Sequence, residues 1–256
     1  MKPLADCRLY TFVDTAYLHG RSPADLAKQL CDGGSDLIQV RAKNAPVDEV
    51  SRLTEAVLEV TSAAGVWLVV NDHPEIAREL GAPICHLGQE DFFDAGYTHI
   101  SELTPGGGNF LQKQAKEAKS GQGGATQANV ARVPTPSLSS LSSVKSGESR
   151  LLFGLSTHAP DQAQRAVAAG PDYIAIGPVF PTPTKPGRPA VTLEYVRWAA
   201  ANVTIPWFAI GGITQSNLDQ VLEAGAKRIC IVSAILNAPN VTRACLDFRK
   251  RLTSAL

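Results

Sequence analysis

Two aspartates stand among basic residues in a pattern that suits phosphate chemistry. Asp72 closes the apolar run Trp67–Asp72 (WLVVND), and Asp91 follows the run Ile84–Gly88 (ICHLG). Arg41 ends a third run, Leu37–Arg41 (LIQVR), with Lys43 two residues on, and Lys185 lies beyond a fourth, Tyr173–Val179 (YIAIGPV). Three fixed cations exceed what one monophosphate needs and imply a second, more highly charged phosphate group. Mg2+ takes oxygen ligands and shares them with phosphates, so Asp72 and Asp91 can bridge the ion to a diphosphate. An oxygen-only set without a Cys/His cluster disfavours zinc or copper. The competing reading makes each aspartate the cap of the helix after it, a concrete alternative for Asp72 before His73-Pro74-Glu75.

A second group suits a simpler anion. Gly211-Gly212 and Ser233-Ala234 each follow an apolar run. Glycine lets the backbone approach a phosphate and present its N–H groups, and barrels commonly bind phosphate after their last two strands. The alternative there is a tight turn and nothing more. Thr182 and Thr184 add hydroxyl donors nearby.

These residues need elements that bring them to one face. Eight short apolar runs read as buried parallel strands: Leu9–Asp14, Leu37–Arg41, Trp67–Asp72, Ile84–Gly88, Leu151–Thr157, Tyr173–Val179, Pro206–Gly211 and Arg228–Ser233. Helical patterns lie between them. Ser22-Pro23-Ala24-Asp25, Pro46-Val47-Asp48-Glu49 and Thr214-Gln215-Ser216-Asn217 read as helix starts. Gly34, Gly65, Gly81, Gly170 and Gly225 read as helix ends. Eight strands alternating with helices close most naturally into a (β/α)8 TIM barrel, an α/β fold whose functional groups gather at the strand C-termini. An open doubly wound sheet is the runner-up, but no G-x-G-x-x-G follows the first strand. The fourth helix is expected at Ala95–Leu103, with Phe110–Lys119 as the alternative.

The chain of 256 residues is read as a single barrel domain, 1–256, interrupted by an insertion at 104–149. That segment holds 7 of the 21 glycines together with 8 serines, too little apolar matter to offset the entropy of ordering it. It is expected to be disordered, and surface loops accept such insertions at small cost. Lys+Arg and Asp+Glu balance at 24 each, so no overall field recruits nucleic acid or an anionic membrane. No apolar run approaches the ~20 residues of a membrane span. Five cysteines, odd in number and without a C-x-x-C pair, suit reduced thiols in a cytoplasmic protein.

Taken jointly, several strings resemble the thiamine phosphate synthase (thiamine-phosphate pyrophosphorylase) family of (β/α)8 barrels. They are Gln39-x-Arg41-x-Lys43, Asn71-Asp72, His86-Leu87-Gly88-Gln89-Glu90-Asp91, Gly154-Leu155-Ser156-Thr157-His158, Gly177-Pro178-Val179-Phe180 with Thr182-x-Thr184-Lys185, Ala209-Ile210-Gly211-Gly212-Ile213 and Val232-Ser233-Ala234-Ile235. Outside the insertion the similarity covers nearly the whole chain. Two departures stand out: His73-Pro74 after the Asn-Asp pair, and the insertion itself.

The resemblance implies Mg2+-dependent transfer of an aminopyrimidine methyl group from its diphosphate to the nitrogen of hydroxyethylthiazole phosphate. It implies catalytic roles for Lys185, Arg41 and Ser156, and Mg2+ on Asp72 and Asp91. Arg41, Lys43, Asn71 and Lys185 would bind the diphosphate, Gln39 and Ser156 the aminopyrimidine. Thr182, Thr184, Gly211, Gly212, Val232 and Ser233 would bind the thiazole phosphate. The partners implied are small molecules, and a homodimer is compatible with the family type. Two other readings stay open: a metal-free thiazole tautomerase using His158, and a non-catalytic phosphate-ligand sensor. His19, His73, His86 and His99 are read as structural or surface residues.

Overall fold

The computed structural model describes residues 1–104, 150–182 and 190–254. Residues 1–100 with 151–256 form one compact unit, and residues 101–150 form a second. Of the second only 101–104 and 150 are described, so the expected disorder and the alternative helix Phe110–Lys119 lie outside the described residues.

Eight parallel strands close a barrel in chain order. They are β1 (Leu9–Asp14), β2 (Leu37–Arg41), β3 (Trp67–Asn71), β4 (Ile84–Leu87), β5 (Leu152–Thr157), β6 (Tyr173–Ile176), β7 (Trp207–Ile210) and β8 (Ile229–Cys230). Closure is carried by Leu9 opposite Ile229 and Tyr10 opposite Cys230. The later strands stop earlier than their apolar runs predict, for a visible reason. Val179 and Phe180 leave the ladder as a loop, donating to the Ile210 and Gly211 carbonyls at 2.9 and 3.1 Å. Ile231 still donates to the Tyr10 carbonyl at 2.9 Å, continuing the β1 side of β8.

The helices are α1 (Pro23–Asp32), α2 (Val47–Ala64), α3 (Pro74–Glu79), α4 (Pro160–Ala168), α5 (Thr192–Asn202), α6 (Leu218–Glu223), α7 (Ser233–Leu236) and α8 (Val241–Ser254). The three predicted starts fall at α1, α2 and α6, and Ser22 caps α1 by accepting from the Asp25 amide. The five predicted terminal glycines all adopt positive φ. The expected helix at Ala95–Leu103 does not form. A single π-helical turn, Glu90–Asp94, and a 3-10 turn, Ile100–Leu103, take its place. Phe92 and Phe93, buried in the π turn, anchor the chain earlier than the polar stretch after it could. Ile100 donates to the Ala169 carbonyl at 2.9 Å, just past the end of α4, so the chain has reached the N-terminal face of the strands by that residue.

The barrel interior is aromatic at its centre. Tyr10 stacks on Phe12 at 5.2 Å, and Phe208 meets Tyr10 and Tyr173 edge-on at 5.4 and 5.5 Å. Below it, buried Asp36 accepts the Arg8 and Leu9 amides and pairs with Lys2 and Arg249 at 2.6 and 2.5 Å. This fixes the bottom of the barrel and leaves the opposite face for function.

Candidate active site

The acid pair forms where β3 and β4 end. Asp72 leaves β3 in the left-handed region, φ 63°, a conformation aspartate tolerates better than most residues, with its amide on the His86 carbonyl at 2.9 Å. The Asn71 amide donates to the Asp72 carboxyl, and the Asp91 carboxyl faces it closely enough to act on its charge. Gly88 makes that approach feasible: a Cβ there would lie 2.7 Å from Asp91 Oδ2. Helix α3 takes His73 as its cap residue and has no side-chain cap bond, so the capping alternative for Asp72 is not what the fold uses.

Burial, and then the neighbouring Asp91 carboxylate, push the Asp72 carboxyl up to about 6. The cost of ionising Asp72 beside that neighbour is one a divalent cation would relieve, and both side chains offer hard oxygen ligands. Among the described residues no cluster of three or more His, Cys, Asp or Glu side chains could hold a metal alone. The pair therefore fits an ion whose remaining ligands come from water and substrate phosphate, which is how Mg2+ is commonly held.

Arg41 closes β2 beside this pair of strands. Its Nη1 is 2.7 Å from Oδ2 of Asp14, a residue 1% exposed at the end of β1 that also accepts the Ala16 amide. A buried carboxylate thus fixes the guanidinium and leaves part of its donor fork for an anion. Lys43 is exposed in the turn that follows.

On the other side of the face a pocket gathers Ser156, Thr182, Gly211, Gly212, Val232 and Ser233, six of the predicted residues, with His158 and Gly177. Its wall is drawn from β5 to β8 through Ser156, Ala175, Ile210 and Cys230, and its mouth is open to solvent. Gly212 is there by necessity: its φ is +64°, and a Cβ would meet Phe180 Cβ and the Pro181 carbonyl, each at 2.7 Å. Gly211 and Gly212 both sit in a tight turn packed against the Pro178–Pro181 loop. The same close approach that shapes the turn keeps the pocket floor free of side chains.

Gln39, Arg41, Lys43, Asn71, Asp72 and Asp91 do not line this pocket. Gln39 lies in the barrel interior, 3% exposed, with Nε2 on the Tyr10 hydroxyl at 2.7 Å. Thr184 and Lys185 lie outside the described residues.

His86 is a buried structural residue, as expected, and it touches a predicted site residue: its Nε2 is 2.9 Å from Ser156 Oγ and its Nδ1 is 3.0 Å from the Tyr173 hydroxyl. A histidine inside a short run of otherwise apolar, fully buried residues was the available signal, because such a ring must find partners. Tyr10 and Tyr173 carry the same signal. His158 also faces the pocket, its Nδ1 2.5 Å from the Gly177 carbonyl. The five cysteines are free thiols. Burial pushes those of Cys7 and Cys245 up to about 12, which makes them inert as nucleophiles. No helix among the described residues is long and apolar enough to cross a membrane.

Comparison with known proteins identifies the family. A family model described as thiamine monophosphate synthase matches residues 9–102 and 123–235. The thiamine-phosphate synthase of Thermus thermophilus is 41% identical over 233 residues, covering 89% of this chain and 88% of the relative. That of Acidothermus cellulolyticus is 38% identical over 254 residues, covering 98% of each. Among solved structures, a thiamine phosphate pyrophosphorylase from Pyrococcus furiosus superposes with a TM-score of 0.70 at 25% identity, covering 99% of this chain and 98% of that one.

Proposed function

The chain belongs to the thiamine monophosphate synthase family, and from that membership we propose that its strand-end face joins an aminopyrimidine diphosphate to hydroxyethylthiazole phosphate, yielding thiamine phosphate and diphosphate. The protein is a transferase of thiamine biosynthesis, and the group moved is the pyrimidinylmethyl carbon. The observation that carries the reading is the paired carboxyls of Asp72 and Asp91 on the face that also holds the glycine-floored pocket.

Asp72 and Asp91 would hold Mg2+. When bound, the ion supplies charge neutralisation on the departing diphosphate. Arg41, Asn71 and Lys185 contact the diphosphate oxygens, with Lys43 adding positive charge at the rim. Gln39 and Ser156 orient the pyrimidine. Thr182, Thr184, Gly211, Gly212, Val232 and Ser233 hold the thiazole phosphate. The carbon–oxygen bond breaks with its electron pair leaving on the diphosphate, and the ring amino nitrogen donates into the methylene cation that remains. The thiazole nitrogen then closes the new carbon–nitrogen bond with its lone pair. The side chains position the partners and stabilise charge, so no protein nucleophile is needed.

The single barrel acts without the 104–149 insertion, and the enzyme works in the cytoplasm, a reading supported by its free thiols. A homodimer is compatible with this account, which needs no residue of a second copy. The tautomerase reading retains one favourable observation, His158 in the pocket wall, but gives the carboxylate pair nothing to do. Incubating the purified protein with both substrates and Mg2+ tests the proposal. Thiamine phosphate and diphosphate should appear in equal amounts, and a protein that forms neither while turning over a thiazole tautomer refutes it.

A further inference from the structure

Gln39 on β2 and Ser156 on β5 are joined through the barrel interior by a continuous run of side-chain hydrogen bonds. Gln39 Nε2 meets Tyr10 OH at 2.7 Å, and Tyr10 OH meets Tyr173 OH at 3.1 Å. Tyr173 OH meets His86 Nδ1 at 3.0 Å, and His86 Nε2 meets Ser156 Oγ at 2.9 Å. Tyr10, His86 and Tyr173 are buried, Ser156 ends the run in the pocket wall, and Gln39, 3% exposed on β2, ends it on the opposite side of the barrel.

Direction propagates along such a run. A phenol has one proton to give, and a neutral imidazole has one donor nitrogen and one acceptor. The Gln39 amide donates to Tyr10, so the proton of Tyr10 goes to Tyr173 and that of Tyr173 goes to His86 Nδ1. His86 then carries its proton on Nε2 and donates to Ser156 Oγ. The Ser156 proton is left to point away from the ring. At the other end Gln39 keeps its carbonyl oxygen as an acceptor.

The packing holds the run in place. Gly154 leaves room for the Tyr173 ring, since a Cβ there would lie 2.1 Å from Tyr173 Cζ and 2.5 Å from its hydroxyl. Phe208 braces both phenol rings.

We propose that Tyr10, Tyr173 and His86 are positioning residues that fix an acceptor at Gln39 and a donor at Ser156. The pair then selects a nitrogen heterocycle offering an amino donor and a ring-nitrogen acceptor over its oxo counterpart, in which those roles are exchanged. The identity of the selected ring rests on the pyrimidine subsite proposed above; the direction of the run does not.

Long-range 1H–15N correlation spectra of the histidine-labelled full chain, recorded without substrate, read the direction. The expected result is a neutral His86 protonated on Nε2. A proton on Nδ1, or a cationic ring, overturns the proposal whether or not the protein proves to be a synthase. Tyr10→Phe cuts the run while keeping the ring. It should raise KM for the aminopyrimidine diphosphate about tenfold, leave KM for the thiazole phosphate within about twofold, and give His86 both tautomers. Unchanged KM values with an unchanged tautomer overturn the positioning role. If that variant does not fold, the wild-type protein still decides: the oxo analogue of the diphosphate should inhibit at least about tenfold more weakly than the amino form, and equal inhibition refutes the selection.

Discussion

The carboxyl of Asp72 at the end of β3 faces that of Asp91 in the turn after β4, and burial, then that neighbour, push Asp72 up to about 6. A carboxyl raised above its unfolded value binds more protons in the folded state between about pH 4 and 6, so stability falls as pH rises through that window. Asp72 is exposed as a residue, and solvent screening keeps the penalty to about 1 kcal/mol or less. Asp72→Asn should therefore raise the Tm of the EDTA-treated protein by roughly 1–3 °C at pH 7, with the gain gone at pH 4. The same variant should lose on the order of a hundredfold or more in kcat. Calorimetry and turnover on one preparation check both, and a variant less stable than wild type at pH 7 would show that the pair is not mutually repulsive.

Gly88 separates site geometry from fold. A methyl group there would press on Asp91 Oδ2 at 2.7 Å and Glu90 Oε2 at 3.2 Å, both ends of movable side chains. Gly88→Ala should fold with a Tm within about 2 °C of wild type while kcat drops at least about tenfold. Normal turnover would mean that the position of Asp91 does not matter.

Gly212 should behave in the opposite way. Its φ of +64° and the backbone carbonyl of Pro181 at 2.7 Å from a Cβ leave an added methyl no escape. Gly212→Ala should cost about 1–3 kcal/mol of stability and raise KM for the thiazole phosphate more than for the pyrimidine substrate. Denaturant unfolding and paired KM values test this, and equal changes in both KM values would detach Gly212 from the phosphate.

Deleting residues 106–148 should leave turnover within about threefold of wild type, because long surface insertions carry little closure cost. A collapse of activity in a deletion that keeps its Tm would tie the insertion to the site.

Most of the barrel could be read because strands buried on both faces leave continuous apolar runs, and β1 and β2 match theirs end to end. Strand ends were less legible where loops continue to bond the sheet, as Val179 does to Ile210. The expected helix at Ala95–Leu103 failed because a pattern of helix-permissive residues does not reveal that Phe92 and Phe93 bury first. At the site, charged and glycine positions stood out by type. The Gln39-to-Ser156 run did not, because its middle members come from β1, β4 and β6, and only closure of the barrel brings their polar atoms together.

The most direct test is the rate of thiamine phosphate formation as a function of Mg2+, in wild type and in Asp91→Asn. The wild-type rate should rise from near zero in EDTA to saturation. The variant should need at least about tenfold more metal or stay inactive at any concentration. Product formed by the wild type at an undiminished rate in EDTA, or an Asp91→Asn titration that overlays it, would contradict the assignment of the acid pair.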